Sequence, residues 1–353
     1  MEVGILFTSH PDPKTEPYPH QAIHERVTRE ILEAEALGFD SVWIAEHHFS
    51  NTYGILPDPF SYLAYLAAKT TRIKLGAAVM VVPLHHPMRI VENAAFIDIL
   101  SNGRFQLGLG SGYRPYEFEG LGISYDQRRE IQQEAIPLIL QGFHEKRVNA
   151  DGKHFKFQMD EQYEIFPHPI QKPHPPFFMG AGTDESMQFA AEHGFGLMQS
   201  TLPPLKVIGE HIRHYRKHMK SAPAPLNRNP AFGRVDVVRM VYVAPTDALA
   251  REQSEAGITH HMKAFGQAGS YLGDVTGGTK EDQLSYDYLA ENTILHGSPD
   301  TVIRKIEAFR DVGATSIMVH YPPYYGLEQT LDMLRLFAKE VLPHLREMQP
   351  AAE

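Results

Sequence analysis

Phe39-Asp40-Ser41-Val42-Trp43-Ile44-Ala45-Glu46-His47-His48-Phe49 is the stretch whose reading decides the fold. Residues 39–45 make a short, β-prone and largely apolar run that opens directly onto a charged and aromatic tetrad. A strand without polar alternation is buried on both faces, the condition of a parallel sheet covered by helices. Upstream, the spacing predicts a helix from Pro19 to Leu37 that stops at Gly38, a residue suited to a helix C-terminus. Downstream, a Gly- and Pro-containing loop leads to a second helix, Pro59–Lys69, and then to the apolar strand Ile73–Val82.

The alternation extends in both directions. Val3–Phe7 reads as the first strand, and Phe105–Gly110, Pro176–Gly180, Gly196–Gln199, Val235–Val243 and Ser316–His320 as the fourth to eighth. Helical patterns cover 87–100, 127–141, 184–193, 205–219, 299–312 and 327–345. This order predicts an α/β protein with a (β/α)8 TIM barrel as one domain over residues 1–353. Two segments are longer than a barrel connection requires. Residues 144–176 are polar, aromatic and Pro-rich and read as an excursion; residues 245–295 carry Gly266, Gly269, Gly273, Gly277 and Gly278 and read as holding a mobile loop before strand eight.

Composition narrows the function classes. The net charge of −10 is dispersed and no basic stripe is present, which argues against nucleic acid as partner. No uninterrupted apolar run reaches about eighteen residues, so no membrane helix is expected. The first ten residues read as a structural element rather than a signal peptide, and the lack of cysteine fits a cytoplasmic location. Twenty histidines invite a metal site, yet neither His-x-His nor His-Glu-x-x-His occurs, so a metallohydrolase barrel is a minor alternative.

Barrels of this kind carry their chemistry at the C-terminal ends of the strands. Those ends supply Thr8 and His10, Glu46 to Phe49, Val81 to His86, Gly110 to Tyr113, Gly180 to Thr183, Ser200, and His320-Tyr321. Around Gly182, Thr183 and Ser186, glycines after a strand and hydroxyls at a helix start suit an anion at the positive end of the helix dipole. An ordinary N-cap at Thr183 explains the same residues, and the local sequence leaves the two readings level. Arg129 is a second anion candidate, although lone arginines are mostly solvated. Of His47 and His48, neighbours on a strand point opposite ways, so at most one faces the barrel centre; a histidine there suits general acid–base work. His85-His86-Pro87 reads as a loop histidine and a helix start, and His260-His261 as solvated residues of a polar helix.

A family resemblance enters on these residues. Trp43 to Phe49, Gly76-Ala77-Ala78 before Val82-Pro83, His86-Pro87 with Arg89, Gly103-Arg104-Phe105 with Gly108, Ala190 to Gly194, Gly297-Ser298-Pro299 and Leu342-Pro343 together resemble the bacterial luciferase-like flavin monooxygenase superfamily in order along the chain. The resemblance implies reduced FMN (FMNH2) over the barrel mouth, with its phosphate at Gly182, Thr183, Ser186 and Arg129. It implies that Ala78-Val79, where the family often has a non-prolyl cis peptide, lies beneath the flavin ring, with Gly110 and Ser200 beside it. His47 matches a histidine that supports flavin peroxide chemistry.

The same resemblance implies a two-component monooxygenase. A separate flavin reductase supplies FMNH2, O2 gives a flavin C4a-hydroperoxide, and a small organic substrate is oxygenated. Phe7, Phe49, Tyr113, His320 and Tyr321 are expected to line the substrate pocket. A homodimer is expected, formed by helices of the second and third βα units. The 265–292 segment corresponds to the family's mobile loop and would act as a lid. Two positions depart from the pattern: a reactive cysteine is replaced by Gly110, and a phosphate-binding arginine by Ser111. Alternatives on the same fold are an F420-dependent hydride-transfer enzyme and a non-catalytic flavin-binding subunit.

Overall fold

The predicted strands pair in chain order. The computed structural model describes residues 1–10, 19–50, 54–267 and 285–348. In it β1 (Glu2–Phe7), β2 (Ser41–Ile44), β3 (Lys74–Val81), β4 (Phe105–Gly110), β5 (Phe177–Gly180), β6 (Gly196–Gln199), β7 (Val235–Val243) and β8 (Ser316–His320) run parallel. β8 returns to β1, with Glu2 beside Ser316 and Ile5 beside Val319, so the ring closes as a (β/α)8 barrel. β2, β4, β6, β7 and β8 are buried at every residue, so most of their positions are apolar on both faces, and the few polar ones, such as Asp236 and Arg239 on β7, are buried with partners.

The helices start where local chemistry satisfies their first N–H groups. Before α2 (Pro59–Lys69), the Asp58 side chain accepts from Phe60 N–H, and Pro59 occupies a position where no donor is needed. α3 (Pro87–Leu100) starts the same way on His86 and Pro87. After α1 (Pro19–Leu37), Gly38 takes a left-handed φ of 94°, as a helix stop there requires. The terminal helix runs from Leu327 to Glu347 with a π turn at Phe337–Val341, just before Pro343, which supplies no backbone donor.

Inside the ring, Trp43, Phe178, Met198, Val238 and Met318 pack together, with Leu6, Ala78 and Val79 against them. Trp43 meets Phe178 edge-on at 5.4 Å and donates its Nε1–H to Ser41 Oγ at 2.9 Å. A larger apolar layer lies between the strands and the helices. At the N-terminal end of the barrel, Glu2 binds Lys74 (2.7 Å) and Arg234 (2.8 Å), and Arg234 reaches Asp236 (3.3 Å).

The excursion at 144–176 contains an antiparallel hairpin, Ala150–Asp151 against Lys156–Phe157. α6 (Asp184–Glu192) follows β5 and α7 (Leu205–Met219) follows β6; after β7 come α8 (Asp247–Gln267), a helix at Tyr286–Asn292, and a short strand, Leu295–Gly297, that pairs in parallel with Val241–Val243. Most of the expected mobile loop, including Gly269, Gly273, Gly277 and Gly278, lies outside the described residues. The fourth βα unit differs from expectation: the main helix, α5, spans Arg128–Glu145, and a short unpredicted helix, α4 (Pro115–Gly120), precedes it. Six residues with one proline are too few for a periodic signal.

Gly76 lets the buried Trp43 ring lie directly against β3, because a Cβ there would overlap Cε3 of that ring. Gly76→Ala is expected to lower stability by about 1–3 kcal/mol. Denaturant unfolding at neutral pH would show this, and an unchanged midpoint would contradict the packing described.

Candidate active site

Glu46 organises the end of β2. It is 2% exposed, and its Oε2 accepts Val81 N–H at 2.7 Å, tying β2 to β3. Its Oε1 meets His48 Nε2 at 2.9 Å and His85 Nε2 at 2.7 Å. Burial opposes ionisation of this carboxyl, but the two imidazole bonds, the charge of His85 and the Val81 N–H together hold it below the usual carboxylate range. Burial likewise works against a proton on His85, and Glu46 overrides it and raises His85. His48 and His85 thus serve Glu46, while His86 caps α3.

His47 faces the barrel mouth, opposite to His48. Its Nδ1 lies 3.0 Å from Glu117 Oε1 on α4, and the same oxygen accepts His48 N–H at 3.0 Å. A carboxylate accepts and cannot donate, so Nδ1 carries the proton and the neutral ring holds its lone pair on Nε2. Burial lowers the proton affinity of His47, and Glu117 offsets part of that loss. Glu117 was not found from sequence: it sits on a six-residue helix and meets His47 across 70 positions of chain.

A cavity of about 310 Å³ opens at this end of the barrel. His47, Ala78, Val79, Gly110, Tyr113, Arg129, Gly182, Thr183, Ser186, Ser200 and His320 all line it. The Ala78–Val79 peptide is cis, and the register between β3 and β4 shifts across it. At Gly110, a Cβ would stand 2.5 Å from Val79 Cγ2, so any side chain there would collide with the cavity wall. Thr183 and Ser186 form a reciprocal capping box at the start of α6 (Asp184–Glu192): Ser186 N–H donates to Thr183 Oγ1 and Thr183 N–H to Ser186 Oγ. The N-cap reading therefore holds for these residues, which also border the cavity. Arg129, which borders the same cavity, is exposed in the first turn of α5, whereas Arg128 stacks on the Tyr125 ring at 3.8 Å.

Three expected substrate residues lie elsewhere. Leu6, Thr8 and His320 point inward, so the alternation of strand side chains sends Phe7 and Tyr321 outward to the helix layer. There they pack edge-on at 6.2 Å, and the Tyr321 hydroxyl donates to Glu30 Oε2 on α1 at 3.2 Å. Phe49 is 65% exposed, with its ring over Gly120 of α4. None of the three lines the cavity.

His261 also departs from expectation: it is 1% exposed and borders the cavity, because α8 turns that face onto the barrel mouth. Its ring lies 5.0 Å from His10 and 5.9 Å from His320. Burial pushes His261 down to about 3 and His320 to about 4, and holds His10 well below the ordinary histidine range, so the cluster is neutral. Buried Arg239, also missed from sequence, donates to the carbonyls of Ser200 and Pro203 at 2.7 Å each and pins the loop that carries Ser200. Desolvation lowers its guanidinium to about 9. Among the described residues, no group of three or more acidic, histidine or cysteine side chains is arranged to hold a metal ion.

Comparison with known proteins assigns this architecture. The sequence model of the luciferase-like monooxygenase family matches residues 1–316. The chain belongs to that family. Among the relatives of this chain, the alkanal monooxygenase alpha chain of Photorhabdus luminescens is 24% identical over 331 residues, covering 90% of each chain. The oxygenase component of a flavin-dependent trigonelline monooxygenase from Acinetobacter baylyi is 29% identical over 208 residues, 57% of this chain and 56% of that protein. In structure, the monooxygenase RslO1 from Streptomyces bottropensis superposes with a TM-score of 0.79 at 26% identity, over 98% of this chain and 100% of that one.

The buried imidazoles make stability depend on pH. His174 and His320 fall to about 4, and His261 and His296 to about 3, all chiefly through burial. Between the unfolded value near 6.5 and these folded values, the unfolded chain binds more protons, so stability is lost as pH falls. Each such group contributes a slope of up to about 1.4 kcal/mol per pH unit. Urea unfolding at pH 7 and pH 5 is expected to show a clear loss at pH 5; equal stability would mean that these rings are not buried neutral.

Proposed function

We propose that this luciferase-like monooxygenase is the oxygenase component of a two-component system that takes FMNH2 from a separate reductase and uses O2 to oxygenate a small organic substrate. One observation carries the reading. A single cavity is lined by a cation and two hydroxyls (Arg129, Thr183, Ser186), by the His47–Glu117 pair and by apolar side chains.

The residues present suit FMN. The exposed Arg129 and the Thr183 and Ser186 hydroxyls at a helix N-terminus would hold its phosphate. Above Gly182 a Cβ would meet nothing within 4 Å, so the approach is open. Ala78, Val79, Gly110 and Ser200 border the stretch in which the ring would lie. Reduced FMN, when bound, supplies the electrons that activate O2. His47 acts as the catalytic base through Nε2, with its other proton held at Nδ1 by Glu117. The apolar part of the lining, including Met198, Met240 and Met318, would limit water around the reacting atoms. Tyr113 borders the substrate region, its ring edge-on to His47 at 6.0 Å. Exposed Tyr65 on α2 and Phe96, Ile99 and Leu100 on α3 support a homodimer through those helices. Two relatives, the oxygenase component of a flavin-dependent trigonelline monooxygenase and an alkanal monooxygenase alpha chain, support the same chemistry.

Anaerobic titration tests the cofactor. Reduced FMN is expected to bind, and Arg129→Ala to weaken it about tenfold while leaving riboflavin, which lacks the phosphate, unaffected. Tight binding of F420 with no oxygen consumption would replace this reading with deazaflavin-dependent hydride transfer.

A further inference from the structure

His320 stands at the C-terminal end of β8, 3% exposed and on the cavity wall. Its Nδ1 lies 2.9 Å from the Leu6 carbonyl on β1. A carbonyl only accepts, so Nδ1 is the protonated nitrogen and the neutral ring carries its lone pair on Nε2, at the opposite edge. This tautomer is fixed by backbone geometry, and burial keeps the ring neutral at physiological pH. His320 therefore presents an acceptor, not a donor.

The surroundings describe the rest of the ligand. Met240 is the register neighbour of His320 on β7, and Met318 lies two residues earlier on the same face of β8. Both line the cavity with Met198 and Met262. Thioether side chains are apolar and adaptable, so this wall suits an apolar body of variable shape.

We propose that His320 reads the substrate, its Nε2 accepting a hydrogen bond from a hydroxyl group on an otherwise apolar molecule that lies against Met240, Met262 and Met318. This inference rests on the cavity being the substrate chamber proposed above. A carboxylate at the same place would meet a lone pair and be disfavoured, and an ether would leave the acceptor unpaired.

Equilibrium binding of three probes to the full-length protein, without reductant, tests it. 2-Naphthol is expected to bind about tenfold more tightly than 2-methoxynaphthalene, and more tightly than 2-naphthoate. His320→Leu is expected to abolish the preference for naphthol over its ether, and His320→Gln, which can still present an acceptor, to restore part of it. Equal affinity of naphthol and ether in the unsubstituted protein, or a preference for naphthoate, would overturn the proposal whatever the variants do. Because no turnover is involved, the outcome is separable from the oxygenase reading. Oxygen uptake with reduced FMN but no hydroxyl preference would sink this inference alone. A hydroxyl preference without oxygen uptake would sink the oxygenase and leave His320 in this role.

Discussion

Closure of β8 onto β1 is the constraint on which the rest of the molecule depends. It pairs the backbone groups that an open sheet would leave exposed, and it sends all eight strand C-termini to one mouth. The same closure places the Leu6 carbonyl within 2.9 Å of His320 Nδ1, across 314 residues of chain. Inside the ring there is room for few side chains, so the large Trp43 is accommodated by glycine at position 76 on the neighbouring strand. Strand alternation then sorts what remains. His320 points in and Tyr321 points out, and one residue of shift would exchange them.

Polar groups buried at the mouth are satisfied in different ways. Glu46 is surrounded by donors and stays ionised, a fixed brace between β2 and β3 rather than a reacting group. His47 keeps one proton in a defined place through Glu117. His10, His261 and His320 are held neutral by burial. Arg239 gives its charge to backbone carbonyls and so fixes the loop that borders the cavity. The chamber that results has neutral histidines in its wall and charges at Glu46, Glu117 and Arg129 along its lining, and hydrogen bonds formed in its buried part discriminate better than they would in water.

Most of the barrel was legible in the sequence because its strands are short, apolar and separated by helices with strong terminal signals: Gly38, Asp58-Pro59, His86-Pro87 and Ser298-Pro299. Glycine and hydroxyl residues after β5 were legible as a helix start, since their chemistry is local. Residues whose roles depend on distant partners were not. Glu117 lies on a helix too short to show periodicity, and the burial of His261 follows from where α8 docks. Phe7, Phe49 and Tyr321 were drawn into the pocket by their nearness to strand ends, although side-chain direction and not distance along the chain decides access.

The sequence by itself determined the order of strands and helices, the end of the barrel that carries the chemistry, and the family pattern, because each is written in local spacing and in contiguous motifs. The family pattern had already singled out His47 over His48; only the tertiary structure decided which carboxylate supports His47 and which nitrogen of His320 holds the proton. Those outcomes depend on contacts between residues 70 and 314 positions apart, brought together by ring closure and by the docking of helices at the mouth.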